Sequence, residues 1–288
     1  MEIRLSPGES ISEAIESLPE GKAVIFLEEG IYREKVTVTR PDLTMIGLGK
    51  VVIDYSDRHG DVHDGREYTT GDSATFTVGA PSFRARNIIF SNSFDYPYWK
   101  SYNKEHPESA IDTQAVALRT VFGADRSVFE NCSFIGYQDT LYADSGSHYF
   151  RSCYISGSVD FIFGAGTAFF EDCEICSRDE GFVAAPSTFA DDEIGFVFRH
   201  CRFTSDFSGD SSVYLARPWH PAGSVNRKPM AAFISSSFSS HIATELWTHM
   251  DSRTPSGIKR KQLPEESRFT VTDDEELSEK AKHLCVFS

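Results

Sequence analysis

"ENCSFIG" at 130–136, "RSCYISG" at 151–157, "EDCEICS" at 171–177 and "RHCRFTS" at 199–205 share one shape. Each carries a cysteine in third place inside a short run of strand-forming residues. Cys132, Cys153, Cys173 and Cys201 follow one another at intervals of 21, 20 and 28 residues. "ARNIIFSN" at 85–92 and "SSSFSS" at 235–240 repeat the shape without the cysteine. Periods of this size mark solenoids, in which each repeat forms one coil and stacking buries a continuous core. These units carry no helical pattern, so the expected fold is all-β: a parallel β-helix rather than a helical or leucine-rich solenoid. The cysteines then stack as small inward-facing apolar residues. Cys173 and Cys176 are the one C-x-x-C pair; no second pair accompanies it and no histidine stands at ligand spacing, which argues against a zinc site. The repeat lengthens in the second half, and loops such as 178–195 and 204–212 are expected to project from one side.

The ends of the chain read differently. Ser10 and Glu13 fit an S-x-x-E capping box, and Ile11, Ala14, Ile15 and Leu18 form one apolar helical face. A short N-terminal capping helix is therefore expected, stopped by Pro19 and Gly21. "DDEELSEKAKHLCVFS" at 273–288 reads as a short acidic helix docking on the end of the solenoid. The whole chain, 1–288, is expected to be one domain, with its core at about 8–250 and a tail at 251–288.

Composition narrows the function classes. The 288 residues are 40% hydrophobic and 25% charged, as in folded globular chains. The 28 basic and 43 acidic residues give a net charge of −15. Such a surface recruits neither nucleic acid nor an anionic membrane, and it repels a polyanionic substrate at low salt. No run of about 18 apolar residues suggests a membrane span. The N-terminus lacks the basic and apolar regions of a secretory signal. A cytoplasmic protein is expected on this reading, or a secreted one if a leader has been removed. A monomer is expected.

The chemistry is concentrated in "GYQDTLY" at 136–142 and "GSVDFIFG" at 157–164. Asp139 and Asp160 are 21 residues apart, the same interval that separates Cys132 from Cys153. On a parallel β-helix the two acids then lie on neighbouring coils, about 4.8 Å apart, facing the same way. Two carboxylates so close do not both ionise cheaply. A protonated acid beside an ionised carboxylate can combine general acid catalysis with nucleophilic attack. An aspartate in a glycine-rich turn is more often a backbone cap; the pair in register favours chemistry. Gln114 in "QAVALR" and Gln138 beside Asp139 offer amide N–H groups for a developing oxyanion. "YLARPW" at 214–219 adds Arg217, a cation able to hold an ionised aspartate, and Trp219, a flat face for a sugar ring.

Taken in order, "GIYREKV" at 30–36, "SATFTV" at 73–78, "QAVALR", "GYQDTLY", "GSVDFIFG" and "YLARPW" resemble the pectin methylesterase (pectinesterase) family over roughly residues 8–250. The resemblance implies a right-handed parallel β-helix with a long surface cleft and hydrolysis of the C6 methyl esters of galacturonate in pectin or methylated oligogalacturonides. It implies Asp160 as nucleophile, Asp139 as general acid and base, Gln138 as oxyanion stabiliser with Gln114 supporting, and Arg217 orienting Asp160. Trp219 and Tyr137 match aromatic cleft lining, and Thr75 matches a substrate-contacting position. Trp247 in "IATELWTHM" matches one family tryptophan, with Met250 in place of a second. Gly71 stands where the family usually carries an aromatic. No metal or organic cofactor is implied. The competing readings are a polygalacturonase-like glycosidase, which would need a further aspartate and a histidine at the acids, and an inactive carbohydrate-binding solenoid. The acidic charge and the two missing aromatics suggest short, highly methylated oligomers as substrates.

Overall fold

The computed structural model describes residues 1–222, 224, 226–253, 259–262 and 264–286. Its main sheet is a single parallel ladder wound into coils, each coil crossing three faces. The first face runs through Glu2–Leu5, 23–28, 43–48, 84–86, Ser127–Glu130, Ser147–Arg151, Thr167–Glu171, Phe196–Arg199, Met230–Ile234 and Arg268–Thr272. The second collects 30–33, 51–55, 88–92, Ser133–Ile135, 154–157, 174–177, Arg202–Ser205 and Ser237–Phe238. The third holds Val36–Val38, Phe76–Val78, Leu118–Thr120, Leu141–Ala143, 162–164, 184–186 and Val213–Ala216. This is the parallel β-helix that the repeats predict.

The cysteine repeat sets the register. Ser133, Tyr154, Glu174, Arg202 and Ser237 are successive partners across the second face, each one residue after a repeat position. Cys132, Cys153, Cys173 and Cys201 are all buried to within 2%. The thiols of Cys153, Cys173 and Cys201 donate to the carbonyls of Phe129, Phe150 and Phe170 on the coil before. Ser236 continues the series with a hydroxyl bond to Phe198 O. Immediately before these positions the chain must bend from the first face to the second. Asn87, Asn131, Ser152, Asp172, His200 and Ser235 do this in the left-handed region, with φ between 46 and 57°. That region penalises a Cβ but is tolerated best by short polar side chains.

Inside the coil, Phe129, Phe150, Phe170, Phe198 and Phe233 form a stack with ring centroids 4.6–4.9 Å apart and planes within 14° of parallel. These spacings reproduce the distance between neighbouring strands. One aromatic per coil thus fills the same radial position, and its burial supplies a large share of the apolar area removed from water.

The first helix, α1 (Ile11–Ser17), packs beside Val36–Val38 with Ile11, Ala14 and Ile15 buried. Its cap is more elaborate than a capping box. Ser10 Oγ accepts from Glu13 N, and the carboxylate of Glu34 accepts from Ser10 Oγ, Ile11 N and Ser12 N. Burial raises the Glu34 pKa, but those donors outweigh it and the net shift is downward. A second helix, α2 (Tyr96–Glu105), sits in the long connection from the second face to the third on one coil.

Two expectations need correction. The C-terminal helix, α3 (Glu275–Val286), does not dock on the end of the solenoid; it lies across the outside of the first face, against Ser147–Arg151, Thr167–Glu171 and Phe196–Arg199. The cause is the outward row of that face, Val128, Tyr149, Phe169, Val197 and Ala232, which is apolar and needs a cover; Ala281 and Cys285 supply it. Glu171, 5% exposed, pins the helix: it accepts from Lys282 Nζ at 2.9 Å, from Arg199 at 2.8 Å and from the Tyr149 hydroxyl. Nor do the long loops leave from one side. Residues 174–186 are one continuous strand; 187–195 leave at the corner between the third and first faces, and 206–212 at the corner between the second and third. The solenoid also continues past 250, because Arg268–Thr272 adds a further strand to the first face. No helix among the described residues is long and apolar enough to cross a membrane.

Candidate active site

The outward row of the third face is Thr77, Arg119, Tyr142, Phe163 and Ala185, paired residue by residue from coil to coil. From Arg119 to Ala185 this row floors a cleft of 440 Å³ that crosses successive coils. Asp139 and Asp160 enter it from the corner between the second and third faces, two residues before the paired Leu141 and Ile162. The 21-residue register is therefore kept through the acids. Asp139 N donates to Val159 O at 3.0 Å, which ties one corner to the next.

Both aspartates occupy the left-handed region, at φ 64° for Asp139 and 49° for Asp160. At this corner the bend residue of each coil is thus the acid itself. Strain of this kind costs on the order of 1–3 kcal/mol and persists where the surrounding structure over-determines it. Here it turns each carboxylate out of a strand whose neighbours point into the core, as with Phe161, which is fully buried.

The two acids differ in their surroundings. Arg217 holds Asp160 by two bonds, Nε to Oδ1 at 2.7 Å and Nη2 to Oδ2 at 2.6 Å. The guanidinium is itself seated on the Phe182 ring, 3.7 Å from its centroid. Paired, charge-assisted bonds of this kind fix the position and orientation of a carboxylate. Asp139 has no such partner and is 8% exposed. Burial above all, and then the charge of Asp160, push its pKa well above the usual carboxylate range, with Arg217 opposing weakly. One acid is thus gripped by a cation, and its neighbour is buried with its pKa raised.

Gln138 and Gln114 also line the cleft. Thr113 Oγ1 donates to Gln138 Oε1 at 2.7 Å, which leaves the Gln138 amide N–H groups free to face the cleft. Gln114 Oε1 is buried and finds no hydrogen-bond partner among the described residues. Trp219 forms a wall with Phe163 and Tyr142, at centroid distances of 5.6 and 6.2 Å. Asp139, Asp160, Gln138, Gln114, Arg217 and Trp219 are therefore brought together.

Three other sequence-derived residues are not. Tyr137 turns away from the cleft, stacked on Tyr96 at 5.0 Å and beneath the Arg178 guanidinium at 4.0 Å. Thr75 has no exposed surface, because ladder bonds from Thr75 N to Val116 O and from Val36 N to Thr75 O hold it inside the coil. Trp247 packs on Phe233 and Phe269 against the last coils of the core. In their place the cleft is lined by Tyr142, Phe163, Arg119, Met250, His59 and Gly71. Tyr142 and Phe163 could have been found: each lies three residues after an acid, at the same 21-residue interval.

One group of potential metal donors is present among the described residues: Asp57, Asp61 and His63 lie within 4.8 Å of one another. Lys35 Nζ bonds Asp57 at 2.6 Å and Arg58 pairs with Asp61, so cations of the chain already balance these carboxylates.

Comparison with known proteins agrees with this geometry. The family profile described as Pectinesterase matches residues 6–256. The chain belongs to the pectinesterase family. It is 35% identical to pectinesterase A of Dickeya chrysanthemi over 284 residues, covering 90% of this chain and 77% of that protein. It is 37% identical to pectinesterase 31 of Arabidopsis thaliana over 230 residues, covering 75% and 67%. Among solved structures, a pectin methylesterase in complex with a hexasaccharide superposes with TM-score 0.84 at 33% identity, covering 91% and 83% of the two chains. The pectin methylesterase from Yersinia enterocolitica gives 0.85 at 34% identity, covering 92% and 89%. The chain is thus a carboxylic ester hydrolase that removes methyl groups from pectin.

Proposed function

We propose that Asp160 is the nucleophile of this esterase and Asp139 its general acid and base. The observation that carries the assignment is the contrast just described: a bidentate arginine on one carboxylate, burial and a neighbouring negative charge on the other. An oxygen of Asp160 attacks the C6 carbonyl carbon, and the carbonyl oxygen becomes an oxyanion near the amides of Gln138 and Gln114. As the tetrahedral species collapses, the Asp139 hydroxyl gives its proton to the departing methoxide, which leaves as methanol. The acyl-enzyme is a mixed anhydride. Asp139, now ionised, takes a proton from water; the hydroxide attacks the same carbon and Asp160 departs as carboxylate. Galacturonic acid is the product, and it ionises in solution. Tyr142, Phe163 and Trp219 keep competing water from the carboxylates.

The substrates proposed are short, highly methylated oligogalacturonides, turned over by a monomer. Methyl esters are neutral, so a net charge of −15 does not repel them as it repels a demethylated polymer. Gly71 and Met250 leave the cleft with fewer aromatic walls than the family usually has. An intracellular setting completes the proposal, in keeping with six unpaired, buried cysteines. Methanol release from defined oligomers and from long pectin tests the substrate, with Asp160→Asn and Asp139→Asn as controls. Methanol without new reducing ends is expected, and faster turnover of the oligomers. Full activity in Asp160→Asn, or a clear preference for polymer, overturns the respective assignment.

A further inference from the structure

Gln138 is gripped twice by the coil before its own. Ala115 N donates to its main-chain carbonyl at 3.2 Å, and Thr113 Oγ1 donates to its side-chain carbonyl at 2.7 Å. Residues 110–116 carry no regular secondary structure, yet they are tied down along their length. His59 N, one coil earlier again, donates to Gln114 O at 2.9 Å. The side-chain amide of Asn103, on α2, holds Ile111 by two bonds: Nδ2 donates to Ile111 O at 2.7 Å, and Ile111 N donates to Oδ1 at 2.9 Å. The long connection that carries α2 thus ends in a clamp two residues before Thr113.

A glutamine amide has two ends of nearly equal size and opposite polarity. Turned by half a rotation about its last bond, Gln138 would present Oε1 to the cleft instead of two N–H donors, and an acceptor there repels a developing oxyanion. A hydroxyl accepts as well as donates, so the Thr113 bond fixes where the far end of the amide lies. The charge of Asp160, which lines the same cleft, fixes its sense, since a carboxylate attracts N–H groups and repels a carbonyl.

We propose that Thr113 is a positioning residue for the esterase reaction. It does not line the cleft and acts through Gln138, holding that amide with its N–H groups aimed at the carbonyl oxygen of the ester as it becomes negative. Donors aimed in advance need no reorganisation when charge develops, and removing one from such a site costs about 10²–10³ in kcat. Loss of aim with the donor still present should cost less, about tenfold. This inference rests on the reading of Gln138 as oxyanion stabiliser above.

The test is steady-state methanol release by wild type, Thr113→Val, Thr113→Ser, Gln138→Ala and the double variant. Valine keeps the branched shape and removes the hydroxyl; serine keeps the hydroxyl. Thr113→Val should lower kcat about tenfold with KM changed by less than about twofold, and Thr113→Ser should stay within about threefold of wild type. Gln138→Ala should lower kcat about 10²–10³-fold. In that background Thr113→Val should change kcat by less than about twofold, because no amide is left to aim. A residue that only supported the fold would cost the same factor in both backgrounds. Wild-type kcat in Thr113→Val, or equal losses in the two backgrounds, overturns the inference while leaving the esterase reading intact. Wild-type activity in Gln138→Ala overturns the role of Gln138 and the inference with it, and absence of methanol from the wild-type protein overturns the esterase reading as well. Urea unfolding of each variant confirms that the rates are read on folded protein, and Thr113→Ala against Thr113→Ser decides the question if Thr113→Val does not fold.

Discussion

His148 puts a pH-dependent cost inside the solenoid. It faces the core at the start of Ser147–Arg151, with no exposed surface, and its Nε2–H donates to Ser145 O at 2.6 Å. Nδ1 is buried and unpartnered among the described residues. Burial lowers its pKa from 6.5 to about 4, against smaller opposing effects of the Ser145 carbonyl and Asp125. A histidine with a depressed folded pKa leaves the unfolded chain binding the extra proton between the two values. Stability is therefore complete above about pH 6.5 and is lost as pH falls towards 4. Each pK unit corresponds to about 1.4 kcal/mol, so between pH 7 and pH 4.5 this one group removes about 2 kcal/mol. The perturbation is His148→Gln, which keeps a donor for Ser145 and cannot ionise. Urea unfolding of both proteins at the two pH values isolates the effect, since every other titrating group is common to both. The variant should lose about 2 kcal/mol less than wild type on acidification. Parallel losses in the two proteins would refute the argument that His148 is folded neutral.

Other consequences can be measured directly. Because Asp139 must carry a proton when methanol departs and burial raises its pKa, activity should fall on the alkaline side as pH rises through that raised value; Asp139→Asn should remove most activity while leaving the unfolding midpoint nearly unchanged. Arg217→Lys keeps the charge beside Asp160 but loses the two-point grip; kcat should drop by an order of magnitude or more with a smaller change in KM, by steady-state methanol assay. Phe150→Ala removes the second ring of the aromatic stack, which is sandwiched between Phe129 and Phe170, and should cost about 3–5 kcal/mol, read as a lower Tm by calorimetry. Glu171→Gln leaves Arg199 and Lys282 without their shared carboxylate; a loss of about 3 kcal/mol is expected, with faster amide exchange along 275–286.

The sequence carried the winding of the chain because the cysteine interval is a geometric quantity: on stacked coils it becomes a register. For the same reason Asp139 and Asp160 could be placed together without coordinates. What was not legible was which way a side chain turns at a corner. Tyr137, immediately before Gln138, and Thr75, immediately before a strand, sit where alternation breaks down, and both turned away from the cleft. Asn131, Ser152, Asp172 and His200 before the cysteines did carry a hint of the left-handed bend, since short polar residues recur there. The position of α3 was written in "SVFE", "HYFR", "TAFFE" and "FVFR", whose consecutive apolar residues need cover on both sides of the sheet. Trp247 was misplaced because neighbouring Met250, without aromatic character, takes the lining position.

The corner bends that carry the two acids have an evolutionary implication. Lengthening 187–195 or 206–212 leaves every rung of the ladder where it was, so such segments can drift in size while the reaction is preserved. Dropping one residue between Phe134 and Asp139 would instead reverse the parity of everything downstream on that coil and send a carboxylate inward. Tolerance of insertions should therefore vary sharply around each turn of the chain, and a deletion scan would trace the catalytic edge as the stretch where single-residue losses are never recovered.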